Sequence, residues 1–354
     1  MNLSMTLAQI ARRLPQAPAI TSEAGTLSYG AFEDRVGRIA ASLLGRHGLQ
    51  PGAHVGIAME NCAEFLLALY GIWRAGLVAV PMNAKLHAKE MAFILGNAEC
   101  RLCFCTQAIA EKLTALGNAE GPLPPIIAAG TSDFDALLRA EPVREISSPP
   151  ESDAWLFYTS GTTGKPKGAV LTHRNLMFMT LAYNTDIDQV DERDTKIHAA
   201  ALSHASGLYA VPHIARGSHQ VVMPGFEPDA IYDALERYPN VTLFGAPTMV
   251  TRLIHHPRAG STDLGNLRTL YFGGAPMYVS DLRKALGIFG PKLFQLYGQG
   301  ESPCTITYIS KHHYADPANA ASDDFLASVG IARTGVEVKV VGGDGRDLPD
   351  GEIG

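Results

Sequence analysis

Tyr158-Thr159-Ser160-Gly161-Thr162-Thr163-Gly164-Lys165-Pro166-Lys167-Gly168 gathers four hydroxyl side chains, three glycines and two lysines within eleven residues. Strand-forming stretches flank it at 155–158 and 169–172, so it reads as a loop between two strands. Backbone N–H groups, hydroxyls and ammonium groups in such a loop can converge on phosphate oxygens. It is not a Walker loop: no Gly-Lys-Ser/Thr ending follows Gly161, and Pro166 would interrupt the helix that such a loop opens. By composition alone the stretch is equally a flexible hairpin with solvated lysines.

Upstream, Phe32, Val36, Ile39, Ala40, Leu43 and Leu44 recur at helical spacing, and Gly48 can close that helix. Strands are predicted at 54–59, 77–80 and 101–105, with helices at 64–73 and 88–95. Downstream, strands are predicted at 155–158, 169–172, 220–223, 241–244 and 269–272, and helices at 174–182, 229–238, 248–255 and 280–289. Strands alternating with helices require crossovers, which predicts an α/β fold of mostly parallel sheets with helices on both faces. The Pro-, Gly- and Ser-rich region 118–153 reads as connecting structure. The expected organisation is a first α/β subdomain at 1–150 and a second, carrying the loop, at 151–327. A small antiparallel sheet or barrel is expected to start within 328–354, because Val336, Val338 and Val340 alternate with polar neighbours before Gly342-Gly343-Asp344-Gly345.

The chain has 354 residues, enough for two or three packed units. With 46% hydrophobic and 18% charged residues it is globular in composition, neither disordered nor collagen-like. A net charge of −6 gives no nucleic-acid footprint and favours a small-molecule partner. Five cysteines are too few and too oddly numbered for a disulfide framework and point to a reducing, cytoplasmic setting. Cys100, Cys103 and Cys105 offer only three thiolates with no second pair following, so they read as buried strand cysteines rather than a zinc site. The amino terminus lacks a signal-peptide pattern, and Gly71, Arg74 and Gly76 interrupt the most apolar stretch, so no membrane span is expected.

The 158–168 segment resembles the phosphate-binding signature of the adenylate-forming superfamily, which holds acyl-CoA and aryl-CoA ligases, nonribosomal adenylation domains and luciferases. Later segments follow in that family's order. Ala201-Leu202-Ser203-His204-Ala205-Ser206-Gly207 resembles its histidine gate segment, Gly273-Gly274-Ala275-Pro276 its adenine turn, and Tyr297-Gly298-Gln299-Gly300-Glu301 its Tyr-Gly-x-Thr-Glu segment. Leu27-Ser28-Tyr29, Pro51-Gly52, Asn61 and Ala75-Gly76 follow its opening pattern, so the resemblance spans essentially the whole chain.

The resemblance implies an AMP-forming acyl-CoA synthetase for a fatty or aryl acid. ATP and coenzyme A would be its co-substrates, Mg²⁺ its metal, and a small carboxylic acid its partner; the oligomeric state is left open, a homodimer included. A carboxylate attacks the α-phosphorus of ATP to give acyl-AMP and pyrophosphate, and a thiol then displaces AMP. By resemblance, Thr159, Ser160, Gly161, Thr162, Thr163, Gly164 and Lys167 hold phosphates. Gly274, Ala275, Pro276 and Tyr297 flank adenine, with Gly298, Gln299 and Gly300 beside them. Glu301 binds Mg²⁺, and His204 closes over the carboxylate, so His204, Lys167 and Glu301 are the candidate catalytic set. His204, Gly207, Ala246, Pro247, Thr248, Gly273 and Gly298 are the candidate walls of an acyl pocket, and their small size is expected to leave room for a bulky or long acid.

Two departures accompany the resemblance. Gly300 stands where the family commonly has Thr, which removes a hydroxyl donor; Gly300→Thr is therefore expected to leave ATP binding intact. The family's small C-terminal domain, with its carboxylate-contacting lysine, has no counterpart in the 354 residues, so this chain is expected to bind ATP but adenylate poorly. The alternatives are an adenylation domain loading a carrier protein and an inactive nucleotide-binding module.

Overall fold

Where apolar runs of four or five residues recur between amphipathic helices, the chain builds parallel strands buried on both faces. The computed structural model describes residues 2–117, 121–144, 146–159 and 166–354. Its strands are β1 (Pro18–Ser22), β2 (Gly25–Ser28), β3 (His54–Ala58), β4 (Val78–Pro81), β5 (Leu102–Cys105), β6 (Ile126–Ala128), β7 (Asp153–Thr159) and β8 (Lys167–Thr172). They continue as β9 (Thr195–His198), β10 (His219–Val222), β11 (Val241–Gly245), β12 (Leu267–Gly273), β13 (Leu293–Tyr297), β14 (Thr307–Ile309) and β15 (Ile331–Ala332).

Two sheets result. One has six strands in the order β6-β5-β3-β4-β7-β8, parallel except where β8 turns back along β7. The other has nine, β15-β14-β13-β12-β11-β9-β10-β1-β2, parallel from β13 to β1 with antiparallel strands at both edges. The α/β expectation holds. Sheet membership, however, does not follow a division at residue 150. The β1–β2 hairpin joins the second sheet through Ile20 and Gln220, while β7 and β8 complete the first. The tail also differs: Val336, Val338 and Val340 lie outside any strand, and the antiparallel pairing there is a single bridge between Val341 and Asp347. These valines have no sheet to lie on, and Val338 and Val340 are about half exposed.

Helix Ala63–Arg74 ties the first sheet to the amino-terminal elements. Trp73 donates its indole N–H to the Ala154 carbonyl at 2.8 Å. The next residue, Arg74, is buried and forks onto both Glu33 oxygens at 2.9 and 2.7 Å while its Nε reaches Ser4 Oγ at 3.2 Å. A planar fork matched to a carboxylate is the geometry in which a buried guanidinium is satisfied. Cys103 and Cys105 are fully buried on β5, with Cys100 buried just before it, so these thiols pack as small apolar side chains. Among the described residues, no helix is long and apolar enough to cross a membrane.

Candidate functional site

Four parallel strands of the larger sheet, β9, β11, β12 and β13, end along one edge. Each runs out into a segment singled out in the sequence. β9 leads to His204, β11 to Ala246, Pro247 and Thr248, β12 to Gly274, Ala275 and Pro276, and β13 to Gly298, Gln299, Gly300 and Glu301. Crevices beyond the carboxyl ends of parallel strands are where open α/β sheets bind ligands, because backbone N–H groups and loop side chains face open space there. Gly273 pairs with Leu296, which sets the Gly274 turn beside Tyr297. Tyr297 is 49% exposed, and Gly274, at φ +85°, has no atom within 4 Å of the position a Cβ would take. The two leave an open slot with one aromatic wall.

The smaller sheet closes this crevice from the other side. In the β7–β8 hairpin Thr159 pairs with Lys167, and Thr159 Oγ1 donates to Glu301 Oε1 at 3.4 Å. Thr159 and Glu301, 142 residues apart, therefore touch, and Lys167 is the partner of Thr159 across the hairpin. Ser160, Gly161, Thr162, Thr163 and Gly164 lie outside the described residues.

His204 precedes helix Ala205–Leu208, is half-buried, and shares a hydrogen bond with Ser203 Oγ through Nδ1 at 2.8 Å. Burial pushes its pKa below the ordinary histidine value, favouring a neutral ring. The segment before it is pinned by Asn61 from the smaller sheet's side. The Asn61 amide donates to the His198 and Ala200 carbonyls at 3.2 and 2.9 Å, and its oxygen accepts from Leu202 N at 2.9 Å.

The glycines correct one expectation. A Cβ at Gly207 would lie 1.8 Å from Leu202 O, one at Gly273 2.2 Å from Leu296 O, and one at Gly298 1.8 Å from Cys304 O. Backbone fills those spaces, so the three residues are small because the chain packs against them, and their size is no measure of acyl room. A second correction concerns Gly300. Its Cβ would lie 2.2 Å from Cδ1 and 2.5 Å from Cε1 of Phe157, so Gly300→Thr is not the harmless exchange its sequence position suggested.

Residues not singled out in the sequence complete the site. Phe157 is on the same face of β7 as Thr159, a placement that strand alternation alone could have given. Tyr209 bonds Thr305 hydroxyl to hydroxyl and meets the Tyr271 ring edge-on at 5.2 Å, a buried cluster that reaches the Gly298 turn through Thr305. Lys196 on β9 is fully buried against the Tyr271 hydroxyl, and burial holds its pKa well below the usual lysine value. Cys304 adopts φ +68°, and burial pushes its thiol up to about 12.

Comparison with known proteins accords with this arrangement. The family model described as AMP-binding enzyme matches residues 7–354. A feruloyl-CoA synthase of an Amycolatopsis species is 32% identical over 97% of this chain and 67% of its own length. The fatty acid–[acyl-carrier-protein] ligase ScoC of Streptomyces coeruleorubidus is 29% identical over 97% of this chain and 66% of its own. Among solved structures, ATP-bound MatB from Rhodopseudomonas palustris superposes with a TM-score of 0.85 at 28% identity, over 99% of this chain and 69% of that one. The chain thus spans about two thirds of the length of these relatives. It belongs to the AMP-binding enzyme family, and the class its relatives define is that of AMP-forming acid–thiol ligases.

Proposed function

We propose that this protein activates a carboxylic acid with ATP and passes the acyl group to the thiol of coenzyme A. In the first step a carboxylate oxygen attacks the α-phosphorus; the new acyl–O–P bond forms as the bond to pyrophosphate breaks. In the second, the thiol sulfur attacks the acyl carbon, AMP leaves, and the thiol proton passes to solvent. The observation that carries this reading is the contact of Thr159 with Glu301, with Lys167 opposite Thr159 in the hairpin, beside the Tyr297–Gly274 turn. A nucleotide lying along that edge places its base against Tyr297 and its phosphates between hydroxyl, ammonium and carboxylate.

Such a site works by position and by electrostatic stabilisation of phosphoryl oxygens. Lys167 supplies positive charge, and Thr159 a donor. Glu301 is a lone carboxylate: among the described residues no cluster of three metal-ligating side chains exists. That donor set fits Mg²⁺, which keeps waters and takes one or two carboxylates plus substrate phosphates. When bound, the ion would supply charge neutralisation to the phosphates. His204, neutral and half-buried between Ser203 and Phe157, is placed to cover the carboxylate without adding a competing charge.

Between fatty and aryl acids, the aryl class fits better. Of its relatives, the feruloyl-CoA synthase stands at 32% identity and the fatty acid–[acyl-carrier-protein] ligase ScoC at 29%. The test is carboxylate-dependent exchange of labelled pyrophosphate into ATP with a panel of aryl and alkyl acids, with coenzyme A or carrier protein as acceptor. Aryl acids should exchange fastest; exchange with no acid at all would remove the ligase reading, and transfer only to carrier protein would replace coenzyme A. Glu301→Gln should weaken Mg²⁺-dependent ATP binding by about tenfold while leaving metal-free nucleotide binding nearly unchanged, by titration calorimetry.

A further inference from the structure

Phe157 stands where three parts of the site touch, and its neighbours leave its ring no room to withdraw. It is 8% exposed, and behind it the fully buried Trp155 stacks at 6.4 Å and 20°. Trp155 in turn abuts Trp73 at 6.3 Å. In front, the His204 imidazole meets the Phe157 ring edge to face at 5.4 Å and 80°. On its flank sits Gly300, whose Cβ would come within 2.2, 2.5 and 2.9 Å of three ring carbons.

We infer that Phe157 is a positioning residue that sets His204 relative to the Gly300–Glu301 segment, and that position 300 is glycine because the Phe157 ring occupies its side-chain space. The inference rests on the function proposed above for His204 and Glu301, and it deepens that reading. Aromatic edge-to-face contact fixes the plane of the imidazole, whose hydrogen bond among the described residues is to Ser203. Any group added at 300 pushes on a ring backed by two tryptophans, so the displacement passes to His204 on one side and to Glu301 on the other. Glycine at 300 is therefore one half of a matched pair with Phe157, and the missing hydroxyl is a consequence of that match.

The experiment is a double-substitution cycle on the whole chain. Gly300→Thr alone should weaken ATP binding by about tenfold. In a Phe157→Val background, which keeps a strand-forming side chain but removes the ring, the same substitution should change affinity by less than about threefold. Equal losses in both backgrounds, or no loss in either, overturn the inference; should Gly300→Thr fail to fold, Gly300→Ala takes its place. A second readout does not depend on nucleotide. His204 imidazole resonances, assigned with His204→Gln, should move in Phe157→Val, and the His204 titration midpoint should rise as water reaches the ring. Unmoved His204 signals sink the positioning role. A wild-type chain that binds no ATP sinks the functional reading instead, and the His204 signals then decide the inference alone.

Discussion

Between pH 7 and pH 5 the protein should lose most of its stability. Burial pushes His173 down to about 4. It pushes His198 down to about 3, with Lys196 adding to the effect, and His219 to about 4, with help from Arg237. His213 is also held well below the ordinary value, by burial first and then by Lys196, His198 and Arg268. All four have a reference value near 6.5 in the unfolded chain. Because the folded values lie below the unfolded ones, the unfolded chain binds protons first as pH falls. Stability is therefore present above about 6.5 and is lost as pH falls toward the depressed folded values.

Each histidine contributes up to about 1.4 kcal/mol per pH unit inside that window, so four together approach about 5 kcal/mol per unit. Against a total of about 5–15 kcal/mol for a folded domain, that is enough to unfold it near pH 5. The hydrogen bonds explain why the buried rings stay neutral. Gln220 donates its amide to Ser218 O at 2.7 Å, which turns its oxygen toward His198 Nε2 at 3.0 Å. His198 then donates from Nε2 and accepts from Ser206 Oγ at Nδ1, at 2.8 Å. A proton on Nδ1 makes Ser206 Oγ, in the short helix that follows His204, turn from donor to acceptor, and leaves a buried imidazolium that burial disfavours. Urea denaturation at pH 7, 6 and 5 checks this, and a midpoint that holds steady across the series refutes it.

Gly298→Ala should cost about 3 kcal/mol and abolish nucleotide binding, as an overpacked site with backbone on the far side cannot relax. The added carbon would lie 1.8 Å from Cys304 O, 2.4 Å from Cys304 C and 2.9 Å from Thr305 N. Cys304 already sits at φ +68°, a conformation strained for a residue with a side chain, so the loop has little freedom left. Movement of Cys304 also shifts Thr305 and, through it, Tyr209. Gly343→Ala serves as the comparison: nothing lies within 4 Å of its Cβ position, and it should change stability by less than about 0.5 kcal/mol. Equal denaturation midpoints for the two variants would show that the 298–305 turn is softer than its packing implies.

The parts of this fold legible in the sequence are those with a clean period. The stripe from Phe32 to Leu44 marked helix Tyr29–Gly45, and the apolar runs at 54–59 and 241–244 marked β3 and β11. β9 escaped because three of its four residues, Thr195, Lys196 and His198, are polar yet buried, and no local pattern distinguishes them from a solvated turn. β1 escaped for a different reason: besides its hairpin mate β2, its pairing partner is β10, far along the chain. The same limit applies to the site. The motif positions follow strand ends: Thr159 closes β7, Lys167 opens β8, and Tyr297 closes β13 with Glu301 four residues on. Phe157, Tyr209 and Thr305 carry no motif; they matter through contacts made across the fold. The sizes of Gly207, Gly273, Gly298 and Gly300 were visible, but the atoms that require those sizes were not.

The β1–β2 hairpin has a consequence for how the molecule is made. Ile20 finds Gln220 only after about 200 further residues have been synthesised, including the whole of the six-stranded sheet. At about 5–20 residues per second, the nascent hairpin waits some 10–40 s with an unsatisfied strand edge exposed to whatever lies near the ribosome. Translation speed across the stretch from β3 to β10 thus becomes a determinant of yield, and holding chaperones have their natural moment of engagement there.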